Sequence, residues 1–425
     1  MVPRRWSDSF GNIGPAELRG GEETGMTQAV AESLRRMVAE CGCDSDDLAP
    51  RFVESLLHAA VEAGVSDVHV QPYPESLSIA WRRDGLLESV GEFPVEIAPR
   101  IVTRLKVLAG LLTYERHLPQ EGRLREGPSG VEMRVSVFPT VSGERVAIRL
   151  FAPRTQLLHL DDLGFTSEDM ARWDRVLGDR HGLVLITGPA GSGKTTTAYA
   201  LMRELVRRHG GQVSLMSIED PVEARLHGVA QSQVHEPAGF TLDVGLRSLL
   251  RQDPEIVLVG EIRDPTTARL VFRAALTGHL VITTYHAGSS ADALRRLLDM
   301  GIESYMIKSG LRILFHQHLV RKLCAGCAEP DEVRDDLGLG VTQQWRPVGC
   351  TECGQSGFRG RLPITESFPL GALREPQDTW ERWDAAAWEE QGRRVGMRDR
   401  WQAAREAIEA GRTTPAEVRR VMGWE

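Results

Sequence analysis

Apolar positions along the chain change their spacing from one segment to the next, and those changes predict its organisation. From Thr27 to Ala63 they recur at helical intervals, as in Val53, Leu56, Leu57, Ala60 and Val61. Short alternating runs follow. Ser66–Gln71 and Ser76–Arg82 read as strands, the second ending at the hairpin signal Asp84-Gly85. Pro99–Ala109 reads as a helix, and Glu132–Phe138 and Glu144–Phe151 as a strand pair joined through Pro139 and Gly143. The pattern predicts a small α+β domain over residues 51–152, preceded by a short N-terminal segment (1–50) whose polar, glycine-rich start at 1–26 is expected to be flexible.

Residues 153–162 read as a linker. Beyond it, Leu183–Thr187, Val213–Ile218, Ile256–Val259 and Leu280–Thr284 are continuously apolar and rich in β-branched residues. Such runs suit strands buried on both faces of a parallel sheet, and the stretches between them are long enough for crossover helices. They predict an α/β core over 163–323. Residues 324–366 are dense in Cys, Gly, Arg and Pro, and 367–425 reads as a C-terminal helical region, most strongly charged from 380 onward.

A chain of 425 residues implies two or three domains. Apolar content of 41% and charged content of 26% are those of a globular protein. The formal net charge of −8 argues against a nucleic-acid binder, which needs a basic face. There is no run of about 18 apolar residues and no apolar signal segment, so a cytoplasmic address is expected. The six cysteines occur as three close pairs: Cys41 with Cys43, Cys324 with Cys327, and Cys350 with Cys353. The first pair reads as two free thiols.

Residues 188–195 carry a complete G-x-x-x-x-G-K-[ST] phosphate loop between strand 183–187 and a helix expected over 195–206. Gly188, Gly191 and Gly193 let backbone amides turn toward phosphate oxygens, and Pro189, Ala190, Ser192 and Thr196 complete the cradle. The helix that follows presents the positive end of its dipole. Lys194 is placed to bridge phosphates and Thr195 to offer a hydroxyl to Mg²⁺. Later strands end at Glu219 and at Glu261, where an open α/β sheet gathers its ligands. A carboxylate at a strand end serves as a helix cap as readily as a catalyst. Two of them downstream of a full phosphate loop tip the reading toward chemistry. His286, after the strand 280–284, is a candidate sensor of the γ-phosphate.

Two C-x-x-C pairs, Cys324/Cys327 and Cys350/Cys353, supply four thiolates for a tetrahedral structural zinc. A redox pair is the rival reading, but no thioredoxin-like βαβ context surrounds either pair.

With these motifs in hand, the sequence resembles the secretion and pilus-assembly ATPases of type II secretion and type IV pili. The phosphate loop, the run Ser217-Ile218-Glu219-Asp220-Pro221-Val222-Glu223, the stretch from Leu246 through Asp264 and the stretch from Ala275 through His286 occur in the order of that family's signatures. Upstream, Ser66-Asp67-Val68-His69-Val70, Arg104-Leu105-Lys106, Glu115–Arg123 and Arg134-Val135-Ser136 also resemble family segments. The resemblance covers residues 50–425. It implies a RecA-like P-loop ATPase domain with an N-terminal α+β, PAS-like domain, the four-cysteine zinc module and the C-terminal helical region. It implies that Lys194 and Thr195 hold ATP and Mg²⁺, that Glu219 positions or activates the attacking water, and that Glu261 acts at the magnesium. Arg104 and Arg116 would approach the γ-phosphate from the small domain. The implied partners are further copies in a homo-hexamer and an inner-membrane platform protein, with the motor cytoplasmic, peripheral to the membrane and free of nucleic acid. The cysteine module is a mark of the assembly branch rather than of the retraction motors.

The match has departures: His117 stands where the family has arginine, Gln71 replaces a glutamate, and Tyr285 and Ala287 flank His286 in place of Leu and Thr. The short stretch before residue 50 predicts a reduced docking domain. Alternatives to the motor are a nucleotide-binding regulatory or scaffold protein with little turnover, a retraction motor and, more weakly, a helicase. Type II secretion and type IV pilus assembly share the same motifs and are not separated by them.

Overall fold

The computed structural model describes residues 25–124, 127–151, 159–332 and 337–423. The flexible start expected over 1–26 lies almost wholly outside the described residues, as does most of the linker. The chain divides into two compact units, Met1–Ala152 and Pro153–Glu425.

In the first unit, α1 (Gly25–Cys41) and α2 (Leu48–Glu62) replace the single helical stretch read over 27–63. Gly42 separates them, at φ +78, a conformation glycine adopts without a Cβ penalty. Leu34 and Val38 of α1 are buried in the same core as Phe52, Leu56 and Leu57 of α2. From Gly25 onward the segment read as a loose N-terminus is therefore packed structure, because α1 has an apolar face to bury. The strands are β1 (Asp67–Pro72), β2 (Ser76–Arg83) and β3 (Leu86–Pro94), then, after α3 (Ala98–Leu108), β4 (Gln120–Leu124), β5 (Glu132–Thr140) and β6 (Gly143–Phe151). They form an antiparallel sheet in the order β3-β2-β1-β6-β5-β4. Asp84 and Gly85 join β2 to β3 with φ of 46 and 89, the paired positive values of a tight hairpin turn. One face of the sheet, carrying Val68, Val70, Leu77, Ile79, Trp81, Met133, Val135 and Ile148, is buried. β4 carries no alternating signal, since its only large apolar residue is Leu124.

The second unit begins with α4 (Ser167–Leu177), β7 (Gly182–Thr187), α5 (Lys194–His209), β8 (Leu215–Glu219), β9 (Ala230–Gln233) and α6 (Leu242–Leu249). It continues through β10 (Ile256–Ile262), α7 (Pro265–Leu276), β11 (Leu280–Tyr285), α8 (Ser290–Asp299), α9 (Ser304–Gly310) and β12 (Leu311–Leu323). The seven-stranded sheet runs in the order β15-β12-β7-β11-β10-β8-β9, with β15 (Phe358–Phe368) antiparallel to β12 and the other neighbours parallel. Side chains alternate between two cores: Leu183, Leu185, Val257, Val259 and Val281 pack with α7 and α8, while Val184, Ile186, Leu258 and Ile282 pack with α4 and α5. Burial on both faces explains the unbroken apolar runs.

β12 has no counterpart among the strands read from sequence, because His316, Gln317 and His318 interrupt its apolar run. β15 begins inside the stretch 324–366, runs on to Phe368 and belongs to the large sheet. The remaining short hairpin pairs β13 (Glu329–Asp331) with β14 (Gln344–Arg346) beside the cysteines. Of the C-terminal helices, α10 (Ala385–Arg394) packs Trp388 against Phe368, and α11 (Arg400–Glu409) buries Ala404 and Ile408 with Leu362 and Ile364 of β15. The last helix, α12 (Pro415–Met422), adds Val418 to that core. Among the described residues, no helix is long and apolar enough to cross a membrane.

Candidate functional site

β7, β11, β10 and β8 are parallel neighbours, so their C-terminal ends share one edge of the sheet. The chain leaves β7 at Thr187, forms the loop 188–193 and enters α5 at Lys194. Two glycines are required there by close approach. At Gly188, φ +149, a Cβ would lie 2.3 Å from the carbonyl oxygen of Gln317. At Gly193, φ +86, it would meet the side chains of Leu319 and Gln317. Gly193 caps α5 without a side-chain hydrogen bond, which leaves the amides of the first turn free for an anion. Pro189, Ala190 and Gly191 are exposed above the loop, as are Thr195 and Thr196 at the head of the helix. Lys194 is buried beneath it and donates to the carbonyls of Gly188 and Pro189, both at 2.9 Å. Burial lowers its ammonium to about 8, against the opposing pull of Glu261. Ser192 contributes a buried hydroxyl that has no partner among the described residues. A deep lysine, free helix amides and an unpaired hydroxyl fit a polyphosphate.

Glu219 ends β8 and is buried. One carboxylate oxygen accepts from the Tyr199 hydroxyl; the other accepts from Ser217 Oγ at 2.5 Å and Gln231 Nε2 at 3.2 Å. Glu261 follows a β-bulge at Gly260 in β10, which turns its side chain to the strand edge. It accepts from Arg263 Nε, while His286 Nε2 lies 3.3 Å away. Arg263 also reaches Asp220 at 2.9 Å. Burial and the Lys194 charge lower the imidazole of His286 below its ordinary value, against Glu261. Thr195, Tyr199, Glu219, Asp220, Glu261 and Thr284 line a common cavity of about 530 Å³. Thr195 and Glu261 both line it, and a hydroxyl with a carboxylate is a hard-oxygen set that fits Mg²⁺.

The floor of the loop comes from β12, a strand absent from the sequence reading. Gln317 donates to Ser192 O at 2.6 Å and accepts from Thr197 Oγ1 at 3.0 Å. His316 pairs with Thr187 Oγ1 at 3.1 Å and with His318 at 2.9 Å. Burial drives both imidazoles down, His316 well below its usual value and His318 to about 4. A buried polar triplet inside an apolar strand was the available signal.

Arg104 and Arg116 belong to the first unit. Arg104 lies on α3 with a buried Nε that has no partner, and Arg116 is exposed in the loop before β4. That loop is held by the buried Lys106, which donates to Glu115 O at 2.6 Å and pairs with Glu144 at 2.7 Å.

The four cysteines come together. Cys324–Cys350 and Cys327–Cys353 sulfurs are each 3.8 Å apart, and Cys350–Cys353 are 3.7 Å apart. A tetrahedral ion with bonds of about 2.3 Å to sulfur needs edges of about 3.8 Å. Backbone amides of Cys350 and Gly357 donate to Cys353 Sγ, each at 3.2 Å. Burial opposes ionisation of that thiol, but these amides together with the Cys350 and Cys327 thiols bring it down to about 6. The donor set fits a metal held by thiolates.

Residues 43–420 match the model of the type II/IV secretion system protein family. The chain is 41% identical over 332 residues to type II secretion system protein E of Klebsiella pneumoniae, covering 76% of this chain and 66% of that protein. It is 36% identical over 363 residues to the type IV pilus assembly ATPase PilB of Myxococcus xanthus, covering 82% of this chain and 63% of that one. The chain thus spans about two thirds of the length of these relatives. Among solved structures, the Legionella pneumophila ATPase DotB superposes with a TM-score of 0.62 at 19% identity, covering 87% of this chain and 94% of that one. The pilus retraction motor PilT with bound ADP gives 0.55 at 20% identity, covering 86% and 95%. At these identities the superpositions speak for the fold.

Proposed function

The chain belongs to the type II/IV secretion system protein family, and on that premise we propose that it is an ATP-hydrolysing motor subunit of a type II secretion or type IV pilus assembly machine. The observation that carries this reading is the shared cavity: Thr195, at the head of the phosphate-loop helix, faces the same space as Glu219 and Glu261. Lys194 and the amides of 188–196 hold the phosphates. Thr195 and Glu261 would hold Mg²⁺, directly or through water, and its chemistry there would be Lewis-acid stabilisation of charge on the phosphate. Glu219 orients the attacking water from the opposite wall, with His286 beside Glu261. Arg104 and Arg116 supply guanidinium charge to the γ-phosphate in the closed subunit. Zinc is the metal of the cysteine centre, where it organises 324–366. By the same resemblance to secretion and pilus-assembly ATPases, the proposed assembly is a homo-hexamer that works at the cytoplasmic face of the inner membrane against a platform protein. The proposed domain plan is a small α+β domain over 51–152, to whose core α1 and the start of α2 add their apolar faces, a linker at 153–162, an ATPase core over 163–323 whose sheet is completed by β15, a zinc module over 324–366 and helices to 425.

A second reading, a nucleotide-binding scaffold with little turnover, draws on the donors already engaged by Glu219 and on the Arg263 and His286 contacts of Glu261. Phosphate release by wild-type protein, Lys194→Ala and Glu219→Gln separates the two. The motor predicts Mg²⁺-dependent release that both substitutions reduce to a small residual rate. ATP bound without release by the wild-type oligomer would favour the scaffold.

A further inference from the structure

Tyr199 is a buried phenol that the reading above leaves without a task. It lies on α5 one helical turn beyond Thr195, so it moves with the segment that receives the phosphates. Its hydroxyl donates to Glu219 and accepts from the backbone amide of Glu223 at 3.1 Å. A single phenol therefore joins three pieces of the site: the phosphate-loop helix, the end of β8 and the loop at 220–223. Tyr199, Glu219 and Thr195 all line the cavity.

The other donors to Glu219, Ser217 and Gln231, sit on β8 itself and on the adjacent strand β9. They fix the carboxylate to the sheet and carry no information about the phosphate loop. Only Tyr199 connects it to α5 among the hydrogen bonds described. The chemistry suits a fixed donor. Burial and the Glu219 carboxylate raise the phenol above its ordinary value, so it stays protonated throughout the range in which the enzyme is assayed. A tyrosine has few rotatable bonds, so its hydroxyl is placed by the helix rather than by its own flexibility. Any displacement of α5 would therefore reach the Glu219 carboxylate through this hydrogen bond.

We propose that Tyr199 is a positioning residue that couples occupancy of the phosphate loop to the orientation of the Glu219 carboxylate. This rests on the reading of Glu219 as the group that orients the attacking water.

The test compares full-length wild type, Tyr199→Phe, Glu219→Gln and the double variant, measuring kcat and KM for Mg²⁺-ATP and the affinity for a fluorescent ATP analogue. Tyr199→Phe keeps the ring and removes only the hydroxyl. The expected result is a fall in kcat of about tenfold, the scale of one lost hydrogen bond to a carboxylate, with KM and analogue affinity within about twofold of wild type. In the Glu219→Gln background the same change should have no further effect on the residual rate, because the two residues act as one unit. Equal kcat for Tyr199→Phe and wild type, alongside an inactive Glu219→Gln, overturns the coupling and leaves the role of Glu219 standing. A full additional loss in the double variant also overturns it, because the phenol then acts elsewhere. A Glu219→Gln variant as active as wild type removes the underlying reading instead. Loss of analogue binding by Tyr199→Phe would assign the phenol to the fold of α5 and overturn the proposal.

Discussion

The Gln317 amide donates to the Ser192 carbonyl at 2.6 Å, tying the phosphate loop to a strand 125 residues further along the chain. The same side chain accepts from Thr197, so it braces the loop at both the turn and the first turn of α5. Gln317→Leu keeps the bulk and strips both bonds, leaving two buried groups unpaired at about 1–3 kcal/mol each. Nucleotide affinity should weaken by about tenfold or more by isothermal titration, with a lower melting temperature. Unchanged affinity would mean the loop holds its shape alone.

The parallel strands at 183–187, 256–259 and 280–284 are legible in the sequence, because burial on both faces leaves an unbroken apolar run. So are the phosphate loop and both cysteine pairs, whose chemistry is written in adjacent residues. β12 and the floor of the loop are not, because His316, Gln317 and His318 look like a surface segment until Thr187 and Ser192 supply their partners. The break between α1 and α2 is hidden as well, since the short connection over 42–47 sits between two stretches of helical spacing. The network around Glu219 was invisible for a related reason: Tyr199 and Gln231 are brought to it by the fold, from positions with no motif of their own.

Lys194 should make nucleotide binding depend on pH. Its ammonium falls to about 8 in the free site, mainly through burial. A bound polyphosphate favours the charged form and raises that value. The complex then holds more protons than the free protein above about pH 8, so affinity should decline as pH rises through that range. Titrations at pH 8.5 in buffers of different ionisation enthalpy should register proton uptake. Lys194→Ala should remove both the uptake and most of the affinity.

The cysteine sulfurs already sit at tetrahedral spacing, 3.7 to 3.8 Å along the measured edges. Protein purified without chelator should contain about one zinc per chain. Removing it should lower the melting temperature and increase proteolysis within 324–366, since the thiols otherwise crowd without a bond between them. Cys353→Ser should reproduce the effect. A stable, metal-free preparation would exclude a structural metal.

Arg398 reaches back from the C-terminal region to Asp169 on α4, at 2.9 Å, with both side chains almost fully buried. Asp169 also accepts from Thr365 on β15 at 3.0 Å and from Thr166 at 2.8 Å, so one carboxylate joins α4, the edge strand and the C-terminal segment. Removing the arginine leaves that carboxylate buried without its ion-pair partner, a loss of about 3–5 kcal/mol. Arg398→Ala should therefore lower the melting temperature by about 10 °C, measured by calorimetry. Pairing Arg398→Met with Asp169→Asn should recover part of that loss, because the uncompensated charge is gone while the packing volume remains. If the single and double variants melt together, the pair contributes packing rather than charge compensation.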